Sequence, residues 1–164
     1  MDKFKVSSSE LHELAKISYR LGINTNYIQA AGGNTSIKLD NKIWVKASGM
    51  ELCNALKKNI FVCLDLNESM LEMKVNRSSD YCFKTLFDNI HKPSIETAFH
   101  ILMPHRVVIH SHSLDAIVNT IKFNGLSSIN NSLAGMNWDL IPYYRPGLPL
   151  SKAINEVIKR KKVD

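Results

Sequence analysis

The chain has 164 residues, 45% of them hydrophobic and 22% charged, with a formal net charge of +6. Those values suit an ordinary globular protein with one domain, residues 1–164, and room for a sizeable core. Without an apolar run near the roughly 20 residues that span a bilayer, without a signal-peptide core and without a basic stripe interleaved with aromatics, the chain reads as cytoplasmic, bound to neither membrane nor nucleic acid.

Ser7-Ser8-Ser9-Glu10 has capping-box form, and Leu11, Leu14, Ala15, Ile17 and Leu21 follow at helical spacing up to Gly22, which predicts a first helix. Gly32-Gly33 marks a turn. Residues 35–39 and 42–46 flank Asp40-Asn41 as a two-strand hairpin, closed by Ser48-Gly49. Residues 60–66 predict a further strand, and 71–75 a short edge strand. Pro93-Ser94 opens a helix to about Met103, stopped by Pro104. A β-branched run through His112 reads as a strand, 114–123 as a helix, 139–144 as a strand, and 150–161 as a final helix. Mixed elements without strict alternation point to α/β or α+β with a mixed or antiparallel sheet. Cys53, Cys63 and Cys82, odd in number and without CxxC spacing, read as reduced, packed thiols. Part of the positive charge sits at Lys159-Arg160-Lys161-Lys162; the balance also suits a small anionic ligand such as a phosphate ester.

Several residues have chemistry to offer. His110 and His112, two apart on the expected strand, would share a face at roughly 7 Å between Cα atoms, near enough to converge on one divalent metal or merely to pack. Gly32-Gly33-Asn34-Thr35-Ser36 supplies a backbone turn and side-chain donors suited to an oxyanion, or to a plain hairpin approach. Ser48-Gly49 and Ser94, the latter at a helix N-terminus, offer further anion donors, or a turn and an ordinary cap. Glu96 in that helix's first turn complements the macrodipole, and would serve as a general base if it faced the histidines. His100, four residues on, is a packed helix histidine or a third metal ligand. His12, His91 and His105 belong to no pattern.

Taken in order, Gly33-Asn34-Thr35-Ser36, Ser48-Gly49, Pro93-Ser94-Ile95-Glu96 and His110-Ser111-His112 resemble the class II aldolase/adducin family. The wording is most similar to the aldolase half of larger aldolase–dehydrogenase proteins. The resemblance implies α/β/α layers around a central mixed, mainly antiparallel sheet, usually in a homotetramer. It implies a zinc-dependent lyase that splits a phosphorylated ketose by retro-aldol chemistry, or an epimerase or dehydratase on the same scaffold. Gly33, Asn34, Thr35, Ser48, Gly49 and Ser94 would hold the substrate phosphate, Glu96 would be the acid/base, and His110 and His112 would bind Zn2+ or another divalent metal. Family members place a third zinc histidine downstream in an Asn-His-Gly-type segment, whereas no histidine follows His112 here. The resemblance therefore implies a C-terminally shortened domain, a site completed by Glu96 or His100, or a binding module without catalysis, as in adducin heads. Ile95 stands where fuculose-phosphate-type enzymes have a second phosphate-binding serine.

Overall fold

Successive side chains along two neighbouring strands belong alternately to two separate cores. Trp44, Phe61 and Cys63 pack with Leu14, Ile28, Ile37 and Leu52 on one side of a sheet. Ile43, Val45, Val62 and Leu64 pack with Leu66 and Ile101 on the other. Strands buried on both faces need helices on both, and the result is an α/β/α layering. The structure is a computed structural model that describes residues 9–75, 83–87 and 90–161.

Helix α1 (Ser9–Gly22) leads through an irregular loop to β1 (Asn34–Leu39) and β2 (Lys42–Lys46). A 3-10 turn at Leu52–Asn54 precedes β3 (Phe61–Asp65), α2 (Leu66–Val75) and the short α3 (Thr97–Leu102). Then come β4 (Val107–His110), α4 (Leu114–Ile121), α5 (Gly125–Ser132) and α6 (Leu148–Lys161). The sheet order is β3-β2-β1-β4 and every pairing is antiparallel. The register of β1 on β4 sets Asn34 opposite His110 and Ser36 opposite Val108. Among the described residues no helix is long and apolar enough to cross a membrane.

The expected first helix, hairpin, third strand and final helix all form. Ser7 and Ser8 of the expected capping box lie outside the described residues. Residues 71–75 are helical rather than an edge strand. The Asp65 carboxylate accepts the Glu68 N–H at 2.9 Å, an N-cap that starts α2 directly from β3. Residues 139–144 form no strand, for the Leu140 N–H is bound by Asp139's own carboxylate, which also pairs with Arg160 of α6. Asn- and Ser-rich α5 carried no sequence signal. Cys63 is a buried free thiol, pushed up to about 11 by burial; Cys53 is half-buried and free, and Cys82 lies outside the described residues.

Helix α3 has only six residues, too few to stand alone in water. Two ties to β1 hold it. His100 bonds to the strand, as described below, and the Lys38 ammonium donates to the Met103 carbonyl at the helix's negative C-terminal end. Ile43, fully buried between β2 and this layer, measures how far the packing matters. Ile43→Ala should cost about 2–5 kcal/mol of unfolding free energy in urea titration, against under about 0.5 for Lys42→Ala at the exposed start of the same strand. Equal small losses at both positions would contradict the two-core packing.

Candidate active site at the end of the central strands

The alternation of β1 sorts its side chains. Asn34 and Ser36 face α3, whereas Thr35 and Ile37 face α1: Thr35 Oγ1 lies 2.7 Å from Ser18 Oγ of α1, and Ile37 belongs to the α1-side core. On the α3 side a chain of contacts runs across the layer. The Asn34 amide nitrogen donates to Glu96 Oε2 at 2.8 Å, and its carbonyl oxygen lies 2.5 Å from His100 Nε2. Ser36 Oγ lies 2.8 Å from His100 Nδ1. A carboxylate accepts and an amide oxygen accepts, so Nε2 of His100 must carry the proton and Nδ1 must receive the Ser36 hydroxyl. The ring, fully buried and stacked on Phe99 at 4.5 Å, is thereby fixed in one tautomer.

His110 enters from β4, directly opposite Asn34. Its Nδ1 stands 3.0 Å from Glu96 Oε2, within ion-pair reach. The pair lies outside hydrogen-bond geometry, and that buried nitrogen has no hydrogen-bond partner. The strand ends at His110, so His112 lies past it instead of on its face. The two rings nevertheless meet, 5.0 Å apart at their centroids. His112 is anchored by its N–H to the Tyr27 carbonyl at 2.8 Å. The Gly32-Gly33 turn makes room for this. A Cβ at Gly32 would come within 2.8 Å of His112 Nδ1. At Gly33, where φ is +63°, a Cβ would come within 2.7 Å of the His110 carbonyl oxygen.

Burial alone would raise the Glu96 carboxyl, but the His110 imidazole and the Asn34 amide outweigh it, and Glu96 is held below the usual carboxylate range. Burial pushes His100 down to about 3, with His110 adding to the effect, so it stays neutral. Burial, then His110, also lowers His112. Glu96 Oε2 is thus occupied, while Oε1 has no hydrogen-bond partner among the described residues. The arrangement can present an ionised carboxylate oxygen to a substrate proton.

The expected phosphate group gathers only in part. Ser48 and Gly49 are exposed, and Ser94 is half-buried, its hydroxyl accepting the Glu96 N–H at 3.3 Å. The bridge of Ala47 to Pro93 brings these two segments side by side. The helix expected from Pro93 begins only at Thr97, because the backbone turns first through the Ser94 carbonyl, which accepts the Thr97 N–H. Thr35 does not join: it is fully buried against α1. Asn34 is committed to Glu96 and His100 rather than open to a ligand. Sequence reading offered Ser36 as an anion donor and missed that it bonds His100, which bridges it to Asn34, though the spacing Asn34-x-Ser36 on a strand signalled a shared face. A groove of ≈ 550 Å³ beside His110, lined by Phe99, Ile109, Trp138 and Ile154 among others, is mainly apolar.

As donors for a metal, two adjacent imidazoles and the unpartnered His110 Nδ1 supply two positions. No group of three or more His, Cys, Asp or Glu able to hold a metal exists among the described residues. His100 uses both nitrogens in hydrogen bonds, so it is not the third. The described residues therefore do not make a complete three-ligand centre.

The neutral His100 has a consequence for stability. The unfolded chain takes up a proton near pH 6.5, while the folded ring resists it until about 3. Its contribution is complete above pH 6.5 and declines as pH falls below that value, by up to about 1.4 kcal/mol per pH unit. His100→Leu should be destabilised at pH 7.5, and its unfolding free energy should fall less steeply between pH 6.5 and 4.5 than that of the wild type. Identical slopes in urea titrations across that range would contradict a buried neutral histidine.

Comparison with known proteins matches residues 12–163 to the model of the Class II Aldolase and Adducin N-terminal domain. The Bacillus subtilis protein described as the uncharacterized oxidoreductase YuxG is 32% identical over 161 residues, covering 89% of this chain and 23% of that protein. The chain thus spans about a quarter of that curated relative's length. Among solved structures, the N-terminal class II aldolase domain of a conserved Thermoplasma acidophilum protein has a TM-score of 0.76 at 22% identity, covering 96% of this chain and 78% of that one. An L-fuculose 1-phosphate aldolase has a TM-score of 0.57 at 19% identity, covering 90% and 68%. At such identities the two structures speak for the fold alone. The sequence match over nearly the whole length decides the family: this chain belongs to the Class II Aldolase and Adducin N-terminal domain family.

Proposed function

We propose that this domain is the proton-handling and anion-holding part of an aldolase-type lyase acting on a phosphorylated ketose. The observation that carries the reading is Glu96, a largely buried carboxylate held below the usual range, with one oxygen bonded by the Asn34 amide and facing His110 Nδ1 at 3.0 Å. Family membership and the fold shared with an L-fuculose 1-phosphate aldolase support it. In the proposed cleavage, Glu96 Oε1 takes the proton of the hydroxyl β to the ketone. The oxygen keeps that electron pair and forms the aldehyde as the C–C bond breaks. The pair from the broken bond stays on the other product as an enediolate, which takes a proton back to give dihydroxyacetone phosphate.

Ser48, Gly49, Ser94 and the backbone at Gly33 are proposed to hold the phosphate. Asn34 is assigned to positioning Glu96. His110 and His112 would be two ligands of Zn2+ or another divalent ion, whose third donor would come from outside the described residues. A cytoplasmic homo-oligomer, a tetramer by family resemblance, belongs to the same reading.

Glu96→Gln should lower turnover of candidate ketose phosphates by about 10²–10⁴-fold, measured by product analysis, with zinc content unchanged. Parallel loss of zinc would make Glu96 a ligand and remove it from the proton-transfer role. His112→Ala should abolish zinc uptake during purification in zinc-supplemented medium. Wild-type protein free of zinc after the same treatment, with no ketose phosphate cleaved, would replace the lyase with a non-catalytic binding module.

A further inference from the structure

Every second side chain of β1, from Asn34 through Ser36 to Lys38, faces the α3 layer, and the three bond along its length. Asn34 reaches Glu96 at the start of α3, Ser36 reaches His100 in its middle, and the Lys38 ammonium donates to the Met103 carbonyl at its end. The same ammonium donates to the His105 carbonyl at 3.3 Å, and the Lys38 backbone N–H donates to the Arg106 carbonyl at 2.8 Å. One residue thus binds three carbonyls of residues 103–106, the connection that leads from α3 to β4. Carbonyls are plentiful there, since a helix leaves its last four without helical partners and Pro104 supplies no N–H. Both partners of the ammonium are uncharged, and burial lowers Lys38 to about 8.

Glu96 and His110 lie at the other ends of the two segments that this connection joins. Lys38 is four residues from Asn34, about 13 Å along the strand, so it acts on neither by contact. α3 is short and stiff, and His100 holds it midway. With its last turn released, the helix is free to tilt about that ring. Glu96 stands four residues before His100, about 6 Å along the axis. A tilt of about 10° moves it about 1 Å, enough to part it from the Asn34 amide. We propose that Lys38 is a positioning residue: by fastening the end of α3 and the start of β4 to one point on β1, its ammonium sets the spacing of Glu96 and His110 from the far end of the layer. That role rests on the lyase reading for the work the pair does, and on geometry alone for the clamp. An apolar side chain would fill the space but leave the carbonyls unbonded, whereas arginine keeps both the charge and the donors.

The test compares wild type with Lys38→Met, Lys38→Gln and Lys38→Arg as whole chains at pH 7, where the ammonium is charged, with no ligand added. Amide hydrogen exchange reads the clamp, and nitrogen-15 NMR of the histidine side chains reads the site. In Lys38→Met, exchange of the Phe99 and Met103 N–H groups should rise about tenfold or more, while β2 and β3 stay at wild-type rates. The Nε2 proton of His100 should exchange faster by a similar factor, and the ring signals of His110, which faces Glu96, should shift. Lys38→Arg should return all three to near wild-type values, and Lys38→Gln, with a donor but no charge, should fall between. Unchanged histidine signals in Lys38→Met overturn the proposal even where the helix end loosens, because the clamp then does not reach the site. Faster exchange spread evenly through the molecule, no rescue by arginine, or failure of both Lys38→Met and Lys38→Gln to fold also overturns it, since each marks a general contribution to stability. If Lys38→Met alone fails to fold, Lys38→Gln makes the comparison. Undiminished turnover in Glu96→Gln defeats the lyase reading, while these measurements, which use no substrate, still decide the clamp.

Discussion

A single imidazole, His100, joins the layers on which the site depends. It comes from a six-residue helix, reaches β1, and has one partner for each nitrogen. With no exposure to water it must stay neutral, and with Ser36 on one side its proton must sit on the other. That leaves the Asn34 amide one orientation, carbonyl towards His100 and nitrogen towards Glu96. The carboxylate is thus set by a buried tautomer two contacts away. Networks of this kind are rigid when every member is satisfied and unfavourable when one is lost. Here each link from Ser36 through His100 and Asn34 to Glu96 Oε2 is made, and Oε1 is left open.

The sheet explains why these groups meet where they do. β1 and β4 are antiparallel, and the rung that pairs Asn34 with His110 lies at the end of both. The turn at Gly33 precedes that rung, and His112 follows it. Loop atoms and strand atoms therefore converge on the α3 face beside Glu96. The same end of the sheet holds Lys46 and the Ser48-Gly49 turn, so the cation, the carboxylate and the imidazoles share one small region.

Much of the layering was legible in the sequence, since runs such as Ile43-Trp44-Val45 and Phe61-Val62-Cys63-Leu64 have apolar residues at every position and demand two covered faces. Residues that share the site were legible as types and as order along the chain: Asn34, Glu96, His110 and His112 do meet. Their division of labour was not. Thr35 and Asn34 are neighbours in sequence, but strand alternation sends one to α1 and the other to α3. The tautomer of His100 depends on Ser36, 64 positions away, which no local pattern reports. Local capping also went unread: Asp65 starts a helix that takes in residues 71–75, expected as a short edge strand. The burial of Lys46 was not legible either, because its two carbonyl partners, Ala31 and Met50, lie in loops whose paths only the fold determines.

The central claim is that a neutral His100, protonated at Nε2, aims Asn34 at Glu96. Nitrogen-15 NMR of the histidine side chains, followed from pH 8 to pH 5, tests it directly. One ring should remain neutral throughout with its proton on Nε2, and its resonances should vanish in His100→Leu. A His100 ring that titrates near pH 6.5, or that carries its proton on Nδ1, would contradict the account.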